Sequence, residues 1–227
     1  MLRDGRLRLV LTSGTILFVE LLLIRWIPAN VAYVGFFNNF LLLASFLGIG
    51  IGILLGRRLD ASASAWFAPV AFAIVLFVSL AQVNIRNEPG DVWFATGEGR
   101  QLDINFVVLP ILLILTTVAM AFLAVPLGPL FRAMPPLRAY AFDISGSMAG
   151  IALFAGVSFA GLPPSVWFTI AGLLVAQKHP QLGVTYRAGS FLMQAVAYGL
   201  GLNFGDAEAL NADSIVGKVV ASMRVTR

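Results

Sequence analysis

The sequence predicts an all-α fold, a polytopic transmembrane bundle of six helices with a seventh candidate and the N-terminus in the cytoplasm. Three observations lead there. Of 227 residues, 59% are hydrophobic and 11% charged, whereas a soluble domain carries about 25% charged residues. The apolar residues fall into runs near the length that crosses a bilayer, about 20 residues. The cations gather in the short connections between alternate runs.

Five runs meet the length: 9–27, 31–55, 65–83, 104–130 and 139–160. The first two read as a hairpin turning at Pro28-Ala29-Asn30. A sixth, 165–176, is short and follows Pro163-Pro164, so it reads as a tilted span or a re-entrant piece. The seventh candidate, 188–204, is rich in Gly and carries Gln194. Residues 1–176 therefore form the helical domain. Residues 177–227 form a C-terminal segment, in which Ile215, Val219 and Met223 share one face of a short interfacial helix or docking tail.

A cytoplasmic N-terminus puts nine cations inside: Arg3, Arg6, Arg8, Arg57, Arg58, Arg132, Arg138, Lys178 and Arg187. The long outer loop, 84–103, has Arg86 and Arg100 against Glu88, Asp91, Glu98 and Asp103. This is a positive-inside pattern, and Lys178 and Arg187 obey it only if the sixth segment crosses. Within that loop Pro89-Gly90 marks a turn, and Trp93-Phe94 suits an interfacial anchor. No cleavage site follows the first apolar run, so it reads as a retained span.

Composition narrows the chemistry. Cysteine is absent, which removes disulfides and thiolate ligands. His179 is the only histidine and reads as a loop residue; no metal site or cofactor is expected. The pI near 10.0 comes from loop cations. It lacks a basic stripe with interleaved aromatics, so nucleic acid is not an expected partner.

The polar residues inside the runs are the candidate site. Glu20 lies near the middle of the first span, and Asn38 and Asn39 reach a similar depth on the second, so an amide is placed to donate to the carboxyl. Asp143 lies about one turn into the fifth span. A charge in hydrocarbon costs about 2.5–3.5 kcal/mol on insertion scales, so these acids mark either a cation or proton site or an interhelical hydrogen-bonded clamp. Arg25, at i,i+5 from Glu20, is poorly placed for an intrahelical pair and reads as snorkelling outward. Gly48, Gly52 and Gly56 recur at i+4 on the second span, as do Gly146 and Gly150 on the fifth. Small residues at that spacing let helix backbones approach closely, and helices two and five are expected to cross there.

The same residues carry a family resemblance. Glu20-Leu-Leu-Leu-Ile-Arg25, Phe46-Leu-Gly-Ile-Gly-Ile-Gly52 and the Arg57-Arg58 end resemble the opening hairpin of membrane-embedded spermidine-synthase-like proteins. Ala139-Tyr-Ala-Phe-Asp143-Ile-Ser-Gly146-Ser-Met-Ala-Gly150 is similar to a helix late in that family's membrane domain. The likeness covers about residues 10–176. A fainter one, at Phe191-Leu-Met-Gln194, Asn203-Phe-Gly205 and Leu210-Asn211-Ala212, resembles a trailing membrane segment, with Asp206, Glu208, Asp213 and Lys218 departing from it. Members usually fuse this membrane domain to a soluble aminopropyltransferase domain. Its Gly-rich turn and catalytic acids have no counterpart in this sequence, so no catalytic residue carries over.

Three function classes follow. The first is a non-enzymatic scaffold or accessory subunit of a larger complex in the bacterial cytoplasmic (inner) membrane, with the lipid bilayer and other membrane subunits as partners. The second is a small polyamine-type cation transporter or binding protein, using the intramembrane acids with Tyr33, Phe36 and Phe37 as aromatic faces. No inverted repeat or pair of broken helices supports it. The third, a membrane enzyme, is disfavoured because Glu20 and Asp143 have no nucleophile, histidine or metal cluster beside them.

Overall fold

The computed structural model describes residues 5–31, 34, 37–84 and 104–176. The outer loop, the seventh candidate and the tail lie outside them. Among the described residues every regular element is helical: α1 (Gly5–Asn30), α2 (Asn38–Leu55), a 3-10 segment (Ala61–Trp66), α3 (Phe67–Asn84), α4 (Ile104–Ala124), α5 (Leu127–Arg132), α6 (Pro136–Phe159) and α7 (Pro164–Ala176). Four helical stretches are long and apolar enough to cross a membrane, namely Gly5–Asn30, Ala61–Ser79, Val107–Arg132 and Pro136–Phe159.

Several boundaries differ from the sequence reading. The turn expected at Pro28-Ala29-Asn30 does not form there, because α1 continues through Pro28 to Asn30. Asn30 Nδ2 donates to the Trp26 carbonyl at 2.6 Å, satisfying an acceptor in the last turn. Within the second run the described helix spans Asn38–Leu55. The fourth run breaks at Val125-Pro126, where proline removes a backbone donor, and resumes as α5. Pro136 opens α6 at a position where its missing N–H is harmless. Gly161, at φ 66, turns the chain after α6, and Pro164 starts α7. With 13 residues, α7 is about 20 Å long.

The described chain forms two compact units, Leu23–Gly128 and, together, Met1–Leu22 with Pro129–Arg227. In the first, α2 packs on α4, which also packs on α3 and the 3-10 segment. Glycine decides how closely α2 and α4 approach. A Cβ on Gly48 would lie 2.8 Å from Met120 Cβ and against the Thr117 carbonyl. One on Gly52 would lie 2.8 Å from Ala124 Cβ and against the Ala121 carbonyl. At the end of the seam, a Cβ on Gly128 would lie 2.7 Å from the Ile53 carbonyl and 3.6 Å from Gly56 Cα. Thr117 Oγ1 donates across the interface to the Ala44 carbonyl at 3.2 Å. Partners therefore rise together, 48 with 120, 52 with 124 and 56 with 128. The two helices are parallel.

In the second unit α1 packs on α6. The Arg6 guanidinium lies 6.0 Å from the Phe142 ring centroid. A Cβ on Gly146 would meet Val10, and one on Gly150 would meet the backbone of Gly14. The rings of Phe18 and Phe154 meet edge-on at 5.5 Å. Here too partners rise together: 6 with 142, 10 with 146, 14 with 150 and 18 with 154. This seam is parallel as well. Trp167 of α7 closes on Phe154 at 5.4 Å.

The expected crossing of the two glycine ladders with each other is thus corrected. Gly48 and Gly52 abut α4, whereas Gly146 and Gly150 abut α1. Spacing identifies the face on which a helix can approach closely, but both ladders satisfy the same rule and neither encodes which neighbour fills it.

Candidate functional site

The polar centre is built on α1. Gly14 lets α6 approach, and this brings the short side chains around it into the interface. Thr12, Ser13 and Thr15 are all buried. Thr15 Oγ1 donates back to the Leu11 carbonyl, an intrahelical bond that satisfies the hydroxyl without a second helix. Ser13 Oγ reaches across and donates to Asp143 Oδ1 at 2.5 Å. Asp143 itself is half-buried. A hydroxyl on one helix therefore holds a carboxylate oxygen on the other, one turn before the point where Gly146 and Gly150 give the closest approach.

Glu20 lies seven residues beyond Ser13, close to the same face of α1 and about 10 Å further along the axis. Its side chain is only 2% exposed. Neither carboxyl oxygen has a hydrogen-bond partner among the described residues. The structure therefore separates the two acids that the sequence treated as one cluster. Asp143 is engaged by Ser13, while Glu20 sits two turns away without a donor among the described residues.

The other expected members fall elsewhere. Asn39 is exposed at the start of α2, and the amide donor expected for Glu20 is not present among the described side chains. The side chain of Asn38 lies outside the described residues, as do Tyr33, Phe36 and His179. Arg25 is exposed. Among the described residues no group of three or more His, Asp or Glu side chains is placed to hold a metal ion.

Ser13 was missed by the sequence reading. The signal was present in Thr12-Ser13-Gly14-Thr15, four consecutive small or hydroxylated residues inside an apolar run, the composition of a helix–helix interface in lipid. Buried Ser45 and Thr116 were missed too. Their hydroxyls have no partner among the described residues, and isolated Ser and Thr in spans carry no comparable pattern.

Chemically, this arrangement supplies an interhelical clamp at Ser13–Asp143 and a secluded carboxyl at Glu20. No protein-family model, curated protein or solved structure matches the chain.

Proposed function

We propose that this chain is a non-enzymatic integral membrane module, a scaffold or accessory subunit of a larger complex in the bacterial cytoplasmic membrane, with its N-terminus inside. The observation that carries the reading is the fate of the polar residues and glycines. Asp143 is spent on a clamp between α1 and α6, and Gly48, Gly52, Gly146 and Gly150 lie in backbone-close seams. The chain's unusual residues thus support packing. The parallel sense of both seams fits a chain that crosses alternately, in which the first and fifth crossings run the same way, as do the second and fourth. The resemblance of 10–176 to a membrane domain that ordinarily travels with a soluble partner domain favours the same reading. The test is purification of the tagged chain from its own membranes in mild detergent, with other polypeptides expected to accompany it.

A second reading is kept for one observation, the buried Glu20 carboxyl without a donor among the described residues. An acid so placed inside a membrane suits a proton or an organic cation. Spermidine binding to the purified chain that is lost in Glu20→Gln would favour this reading. Binding that survives both Glu20→Gln and Asp143→Asn would remove it.

A further inference from the structure

Helices α1 and α6 begin at the same end of their parallel seam, and each brings an arginine there. The Arg6 guanidinium lies 6.0 Å from the Phe142 ring centroid. Arg138 stands one turn before Phe142 on α6, at the i,i+4 spacing that places side chains on one helix face. Both arginines are exposed, and among the described residues neither is ion-paired. In this unit the described carboxyls are Asp143, which accepts from Ser13, and Glu20, about 21 Å along α1 from Arg6. The first turn of α6 holds no acid to offset Arg138, although the positive end of a helix dipole disfavours a cation there. Beside the arginines α6 carries an apolar track. Leu137, Ile144, Met148 and Ile151 are all exposed, and their spacing of seven, four and three residues keeps them on one side of the helix for about 21 Å. Both helices have the length and apolarity of a membrane span. The arginine end therefore lies at headgroup depth, and the track runs from it toward the bilayer centre.

We propose that the mouth of the α1–α6 seam binds one anionic phospholipid, its phosphate held between Arg6 and Arg138 and an acyl chain laid along Leu137, Ile144 and Met148. Guanidinium groups offer paired N–H donors that match phosphate oxygens, and anionic lipid is the phosphate that a bilayer concentrates at this depth. The apolar track gives a lipid a second contact that a soluble phosphate would not use. Arg8 is the internal control. It is exposed at nearly the same depth, but at i+2 from Arg6 it lies on another side of α1 and outside the pair. The proposal goes beyond the reading of the chain as an accessory module and stands or falls separately from it.

The test uses the full chain, purified in nonionic detergent and mixed with equimolar phosphatidylglycerol and phosphatidylcholine, with the retained lipid read by native mass spectrometry. One phosphatidylglycerol per chain should be kept in preference to phosphatidylcholine. Arg6→Gln or Arg138→Gln should each lower that preference about fivefold, the worth of one interfacial cation toward anionic lipid, while Arg138→Lys should keep part of it. Arg8→Gln, and Arg57→Gln combined with Arg58→Gln, should leave it unchanged. All of these positions are exposed, and an unaltered melting temperature in phosphatidylcholine alone verifies that each variant is folded. A loss from either control equal to that from Arg6→Gln would overturn the proposal, because the attraction would then be a diffuse surface effect. Equal retention of the two lipids by the unaltered chain would overturn it as well. So would displacement of the lipid by excess inorganic phosphate, which would give the arginine pair to a soluble anion.

Discussion

Gly146 and Gly150 set the distance between α1 and α6, because a side chain at either position would run into the backbone of the facing helix. Gly146→Leu or Gly150→Val should therefore lower stability by about 1–3 kcal/mol or more, the range for overpacking, whereas Gly156→Ala should be neutral. Thermal unfolding in detergent distinguishes them. The Ser13–Asp143 bond makes a smaller contribution: interhelical hydrogen bonds in membranes average about 0.6 kcal/mol and reach about 1.7. A double-mutant cycle of Ser13→Ala with Asp143→Ala should return a coupling in that range, and Asp143→Asn should retain most of it, since an amide oxygen still accepts from the hydroxyl. Glu20 behaves differently. With no described donor to lose, Glu20→Met should leave stability unchanged or raise it, because an unbonded buried polar group is a net cost. A drop above 1 kcal/mol in the same assay would mean that the carboxyl has a partner outside the described residues. The sequence announced these residues by depth and spacing, but depth alone does not give rotation about the helix axis or the identity of the neighbour. For that reason Glu20 and Asp143 looked like one cluster, and Ser13 was overlooked.

At the level of elements, the helices were legible because hydrocarbon imposes one rule on length and polarity. Their ends were less so. Proline suggests a stop at Pro28, yet α1 continues through it to Asn30. At Pro126 the run read as continuous does break. Proline removes one donor in both places; what differs is the local backbone, which composition does not report. Pairing was the least legible feature, since a small-residue ladder is equally compatible with any helix that brings its own small residues. The parallel register on α1 and α6 is directly testable in this cysteine-free chain. A short bifunctional thiol reagent should link Arg6→Cys to Phe142→Cys, because these positions meet at one end of the seam. It should fail to link Arg6→Cys to Phe154→Cys, since 154 lies beside Phe18 at the other end. The opposite result would require an antiparallel seam.

For the whole molecule, low charge and high mean hydropathy, +0.90, made the membrane class evident, and four described helices have the length and apolarity to span. Function was less visible, because packing glycines and buried acids serve assembly and transport alike until their neighbours are known. Those neighbours are two parallel glycine seams and a serine on an acid, all within the chain, and the role in assembly is proposed on that ground. The chain is proposed to work as a subunit. This is tested most directly by the composition and mass of the particle extracted from native membranes in mild detergent. The expected particle is heavier than one chain and contains other polypeptides in fixed ratio. A stable particle holding one copy of this chain and no other polypeptide would contradict it.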